Sequence, residues 1–89
     1  MSRVIITHTV GNMDTWLAGG SERAEIFKQF SGGYRIYRHE KENRVAIVWE
    51  QVDLEKLRSV LGNQETERAK AKHTVRDPID MYIEVQGGK

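Results

Sequence analysis

The stretch "ITHTVGNMDTW", residues 6–16, changes character halfway: a β-branched run broken only by His8 stops at Gly11-Asn12 and gives way to Asp-Thr-Trp. With Arg3, Val4 and Ile5 before it, the run reads as a strand, because β-branched side chains suit a pleated backbone and Gly-Asn favours a turn. Asn12 is placed to cap a helix from about Met13, and Asp14 falls in the positive first turn of that helix. The junction is therefore strand, turn, helix.

Working outward, Gly19-Gly20 interrupts the helix and Ser21-Glu22 restarts it. Ala24, Phe27 and Phe30 then recur at helical spacing until Ser31-Gly32-Gly33, which predicts a kinked or split helix. A second strand is expected over 34–38 and a hairpin connection over "HEKEN", residues 39–43. A third strand follows over 44–50, apolar on consecutive positions through "RVAIVW". Asp53 caps a second helix whose Leu54, Leu57, Val60 and Leu61 form one stripe. Gly62-Asn63 breaks that helix before a polar helical segment over 64–72 that has little to bury. Pro78 marks the start of a last strand in which Ile79, Met81, Ile83 and Val85 alternate with Asp80, Tyr82, Glu84 and Gln86. One domain over 1–86 and a frayed tail over 87–89 are expected.

The order strand, helix, strand, strand, helix, strand, combined with right-handed crossovers, predicts an α+β fold of ferredoxin-like βαββαβ topology. Its four-stranded antiparallel sheet has the first and third strands central. Two helices can cover only one face. The other is expected to expose Val4 and Ile6 with apolar residues of the third strand, a patch that a symmetric homodimer would bury.

Composition bounds the rest. A chain of 89 residues buries only about 60–65% of its unfolded surface, so help from a partner subunit is expected. It has no cysteine, which excludes disulfides, a thiolate nucleophile and cysteine-ligated metal, and makes the cytoplasm the default location. Fourteen Lys+Arg against thirteen Asp+Glu leave a net charge of +1 without long runs of either sign, so no footprint for nucleic acid or membrane is visible. The longest apolar run, residues 45–49, is far short of the roughly 20 residues of a membrane helix, and the N-terminus leads straight into a strand rather than a signal peptide.

Four passages carry a family resemblance: "ITHTV", the "VGNMDTW" start of the first helix, "VWEQVDLEKL" from third strand to second helix, and "DPIDMYIEV". Across nearly the whole chain the sequence resembles the dimeric α/β-barrel superfamily, near its cyclase-like and antibiotic-biosynthesis-monooxygenase-like members. The resemblance implies a barrel built from two facing sheets and a small-molecule pocket in each subunit. Heme-degrading relatives carry an Asn on the first strand and a Trp and a His on the second helix. Here His8, Val60 and Lys70 fall at or near those positions, with His73 about one turn later, and protonated lysine does not ligate iron. Heme is not expected.

The candidate site follows from strand parity. His8 shares a face with Val4, Ile6 and Val10, while Tyr82 and Glu84 lie opposite Ile79, Met81 and Ile83, and Tyr37 lies opposite Tyr34 and Ile36. If His8 faces the barrel, His8, Tyr37 and Tyr82 converge there. An imidazole would then move a proton near neutral pH, as the catalytic group, beside two phenols that hydrogen-bond a carbonyl or enolate. Glu50 either looks into the same space or sits at an exposed strand end. His73 is either a solvated residue after a polar helix or part of a segment closing over the pocket. His8 itself is read either as a ligand-contacting residue or as a packed, hydrogen-bonded one, and the tyrosines either as pocket residues or as interface packing. Trp16 is expected to plug the gap between helix and sheet, and Trp49 to lie in the core.

Other chemistry is not indicated. His8, His39 and His73 have no spacing that brings two ligands onto one face, so neither metal nor cofactor is expected. The glycine pairs lack the following Lys-Ser or Lys-Thr of a phosphate loop, and "NRVAIVWE" lacks the stacking aromatics of an RNA-recognition strand. The reading is a homodimer binding, and cyclising, isomerising or oxygenating, a small aromatic or polyketide-like molecule without metal. The alternative is a non-catalytic dimerisation or ligand-sensing domain.

Overall fold

A computed structural model describes residues 2–85; the tail expected at 87–89 lies outside the described residues. The elements are β1 (Ser2–Val10), α1 (Met13–Ala18), α2 (Gly20–Phe27), β2 (Gly33–Arg38), β3 (Arg44–Val52), α3 (Leu54–Leu61), α4 (Gln64–Lys72) and β4 (Val75–Ile83). The breaks fall where the local chemistry puts them. Asn12 Oδ1 accepts the Thr15 N–H at 2.9 Å, Asp53 Oδ1 the Lys56 N–H at 3.2 Å and Asn63 Oδ1 the Thr66 N–H at 2.8 Å, each satisfying an N–H with no partner inside its helix. Gly19 ends α1 and begins α2, so the first helical segment is split. No helix among the described residues is long and apolar enough to cross a membrane.

The four strands form one antiparallel sheet in the order β2-β3-β1-β4, with β1 and β3 central. This is the ferredoxin-like arrangement. The barrel is not formed: β2 and β4 are free edges, each paired on one side only, and the sheet stays open. Four strands are about half of the roughly eight that enclose even a side-chain-filled interior.

A second correction concerns parity. Val4, Ile6, His8 and Val10 point toward the helices and are buried, in register with Trp49, Ile47 and Val45 of β3. The open face carries the alternate set, Arg3, Ile5, Thr7 and Thr9, beside Ala46, Val48 and Glu50. The expected exposure of Val4 and Ile6 is therefore reversed. The helices cover the more apolar side of β1, because that side has more surface to remove from water.

β4 also departs from expectation. It begins at Val75 rather than at Pro78, and its pairing with β1 runs from Thr7↔Asp80 to Thr9↔Arg76, two steps on β1 against four on β4. The extra residues form a bulge on an edge strand, where Pro78 removes no ladder hydrogen bond from a central position. The bulge also leaves Ile79 against the core.

Between sheet and helices, Trp16 and Trp49 are the largest fully buried side chains, as expected of a plug and a core residue. Trp49 meets Phe30 and Phe27 edge-on, with ring centres 4.8 and 5.1 Å apart. Such aromatic pairs add about 0.5–1.5 kcal/mol beyond the area they bury. They fix the end of the helical layer where α2 meets β3. The other end is not filled.

Candidate functional site

That unfilled end is a cavity of about 220 Å³ bounded by the helix-covered side of β1, β3 and β4 and by α2, α4 and Trp16 of α1. Its walls are mostly apolar, yet His8, Arg23 and His73, all no more than 6% exposed, reach it from three different elements.

His8 is fixed by β1. Its Nδ1 lies 2.9 Å from the carbonyl oxygen of Thr9, which can only accept, so the N–H sits on Nδ1 and Nε2 carries the lone pair. Burial pulls the imidazole below its ordinary pKa, and the nearby charges of Arg23 and Lys70 push the same way against the Thr9 bond. His8 is thus neutral at pH 7. No protein group among the described residues bonds its Nε2, which leaves a base with its lone pair available.

Arg23 sits on α2 in register with Ile26, Phe27 and Phe30, so the helix that buries those three buries it too. One Nη donates to the Trp16 carbonyl, and the guanidinium carbon lies 3.8 Å from the centre of the Trp16 ring. Stacking on an indole suits a planar, weakly hydrated cation. Among the described residues no carboxylate lies within ion-pair distance of Arg23. Its neighbour Glu22 pairs instead with Lys72 at 3.0 Å. Burial lowers the guanidinium's pKa, but an arginine remains charged at neutral pH.

His73 caps the C-terminus of α4, and the residue after it, Thr74, has a φ of 61°, a left-handed value seldom seen for a β-branched residue. The Thr74 hydroxyl accepts from the Asn12 N–H at 3.0 Å and donates to the Asn12 carbonyl at 3.2 Å, tying the end of α4 to the start of α1. The imidazole lies so close to Gly19 that a Cβ there would stand 2.4 Å from Nε2. Only glycine leaves room for the ring. Burial and the charge of Arg23 lower the His73 pKa, opposed by Glu22, whose Oε1 is 3.8 Å from Nε2.

Trp49 also lines the cavity, and its indole N–H, fully buried, is the single such side-chain polar atom among the described residues without a hydrogen-bond partner. Lys70 completes the polar set from α4, its ammonium 3.2 Å from Glu67. Among the described residues no Asp or Glu lines the cavity. No group of three or more metal-ligating side chains occurs among the described residues.

The expected convergence of His8 with Tyr37 and Tyr82 does not occur. Tyr37 pairs with Ala46 and Tyr82 with Ile5, so both phenols stand on the open face, across the sheet from His8. Glu50 lies on that face too, accepting from Arg3 Nε at 2.8 Å. His73 does meet His8's cavity, from the α4 side. Two signals for the missed members were present in the sequence. Arg23, Ile26, Phe27 and Phe30 follow an i, i+3, i+4, i+7 pattern, as do Thr66, Ala69, Lys70 and His73. Both patterns place a cation on a buried stripe. The segment over 64–72 therefore buries more than its polarity suggested, with Thr66 and Ala69 inside.

No family model and no curated protein matches the chain. Solved structures share its fold. One is an antibiotic biosynthesis monooxygenase, 17% identical with a TM-score of 0.70, the match covering 96% of this chain and 97% of that one. A NIPSNAP family protein of unknown function from Agrobacterium tumefaciens is 18% identical, TM-score 0.71, covering 94% and 86%. A cofactor-independent oxygenase from Streptomyces nogalater is 14% identical, TM-score 0.69, covering 96% and 93%. The chain thus has the ferredoxin-like fold of the antibiotic-biosynthesis-monooxygenase and NIPSNAP proteins.

Proposed function

We propose that this protein binds a small organic molecule in the cavity between its sheet and its helices, without metal, as a cytoplasmic homodimer. The observation that carries this reading is Arg23: a buried guanidinium with no carboxylate partner among the described residues, at the wall of a cavity that none of their acidic side chains lines. Taking a charge out of water costs several kcal/mol, and a site that holds one unpaired is half of an interaction. His8 supplies chemistry if there is any. A neutral imidazole with its Nε2 lone pair available can remove an acidic C–H or O–H proton, the first step in cyclising, isomerising or oxygenating an enolisable substrate. The fold shared with a cofactor-independent oxygenase is compatible with that step.

The non-catalytic reading, a ligand-sensing domain, is favoured by a different observation. Both cavity histidines have lowered pKa values, so the site holds two neutral bases, and among the described residues the carboxylate within ion-pair distance of either is that of Glu22, 3.8 Å from His73 Nε2. The homodimer rests on the open face, where Ile5, Tyr37 and Tyr82 are exposed beside Ala46 and Val48 with no helix over them. A thermal-shift screen of organic acids and quinones tests the binding reading, since a ligand that binds only the folded state raises its stability. Hits in which His8→Asn abolishes turnover but not binding establish the enzyme; hits without turnover establish the sensor. A screen with no shift overturns both.

A further inference from the structure

Three properties of the cavity together specify more than a generic small molecule. The first is size. A cavity of about 150 Å³ lined by apolar side chains holds one benzene. At that ratio, 220 Å³ takes roughly nine non-hydrogen atoms, a single ring with one small substituent. A fused polycyclic molecule would reach out of it. The second is charge: Arg23 and Lys70 reach the cavity and, among the described residues, no carboxylate does. Lys70 is partly neutralised by Glu67, so Arg23 is the uncompensated cation. The third is the set of unsatisfied donors. Of the five N–H donors of a guanidinium, one goes to the Trp16 carbonyl, and the others have no hydrogen-bond partner among the described residues. A guanidinium can only donate, so the complement must accept.

We infer that the ligand of this cavity is a single-ring organic carboxylate, its two oxygens on the free edge of Arg23 and its ring against the apolar wall. A carboxylate matches the fork of a guanidinium through two parallel N–H···O bonds. The Trp16 indole holds the opposite requirement, fixing the guanidinium plane from one side so that its edge stays available. His8 Nε2, an acceptor, then faces a ligand proton rather than the carboxylate itself. This assignment rests on the cavity being a ligand site, and it adds the ligand's charge and size.

The probes are benzoate, its neutral isostere benzamide, anthracene-2-carboxylate and the neutral quinone menadione, titrated against the wild-type protein and followed by tryptophan fluorescence and calorimetry. Both tryptophans line the cavity, so occupancy is read directly. Benzoate is expected to bind about 10- to 100-fold more tightly than benzamide, the factor for a hydrogen bond to a charged group. It should also outcompete anthracene-2-carboxylate. Arg23→Met, which removes the charge and keeps an unbranched apolar stem, should erase the preference for benzoate over benzamide. Equal affinity for benzoate and benzamide in the wild type overturns the assignment without any variant. So does a benzoate affinity that survives Arg23→Met, or a tighter fit for the three-ring acid. Binding of menadione alone overturns the carboxylate while leaving the ligand cavity standing. If none of the four binds and the wider screen is also blank, both readings fall.

Discussion

The two faces of one sheet treat polar side chains in opposite ways. On the helix-covered face, His8, Arg23 and His73 are buried around a cavity, and the guanidinium there has no counter-charge among the described residues. On the open face, Arg3 lies 2.8 Å from Glu50 and 3.9 Å from Glu84, all three exposed, while Tyr37 and Tyr82 hold their rings in solvent. The charged pairs outside are neutralised yet contribute little, because water already screens them. The groups inside are held at a cost and leave donors unused. Surplus polarity in a low-dielectric space is a feature of sites, whereas paired polarity in water is a feature of surfaces.

The largest expected contrast is in packing. Trp16→Ala removes the plug that also carries Arg23, and should lower stability by about 3–5 kcal/mol, enough to unfold much of a small domain. Tyr82→Ala on the open face, measured at concentrations where the chain is monomeric, should stay within about 0.5 kcal/mol. Urea denaturation of the two variants side by side decides it, and equal losses would break the distinction between the faces.

Gly19→Ala sharpens the comparison at one atom. The backbone at Gly19 has φ −84° and ψ 12°, which alanine tolerates, so any cost comes from the Cβ displacing the His73 ring. Overpacking of this kind costs about 1–3 kcal/mol. Gly20→Ala, next along the chain with open space around it, should not destabilise. If both substitutions behave alike in thermal melts, His73 is not seated as described.

Protonation separates the faces by pH. His8 and His73 both have folded-state pKa values below the ordinary 6.5, principally through burial. The unfolded chain therefore binds more protons than the folded one below that value, and stability must fall as pH drops from 6.5 toward the folded pKa values. Glu22, held low by Lys72, adds a loss of the same sign only further down, in the carboxylate range. Melting temperatures measured from about pH 8 to pH 5 should decline through the imidazole range, and His8→Asn should flatten that slope. A flat wild-type profile would place both imidazoles in water.

The smallest effect on the fold, and the one most informative about assembly, lies on the open face. Ile5→Asp should leave the cavity and its ligand affinity unchanged, while shifting sedimentation at micromolar concentration from dimer to monomer. A wild-type monomer with native secondary structure would remove the homodimer from the proposal.

Element order, the split at Gly19, the break at Gly62-Asn63, the hairpin over 39–43 and the central placement of β1 and β3 were legible in the sequence. Each depends on local chemistry: a cap, a helix-breaking glycine, a period of two or of 3.6, and a crossover rule. These operate over a few residues and survive whatever packs on them. The closed barrel did not follow, because closure depends on which edges meet, and β2 and β4 remain the two edges of an open sheet. Nor did the direction of His8. Alternation divides a strand into two faces but does not say which one the helices cover, and "ITHTV" carries its histidine on the side that also holds Val4, Ile6 and Val10. Weighing apolar area face against face would have favoured the observed side. Arg23 and His73 are the clearest cases of what only the tertiary structure decided. Each is polar on a helix that looked polar around it, and each is buried because the stripe it shares with Ile26 and Phe27, or with Ala69, is pressed against the sheet. Burial is a property of the surface a residue meets, and that surface is assembled from segments far apart in the chain.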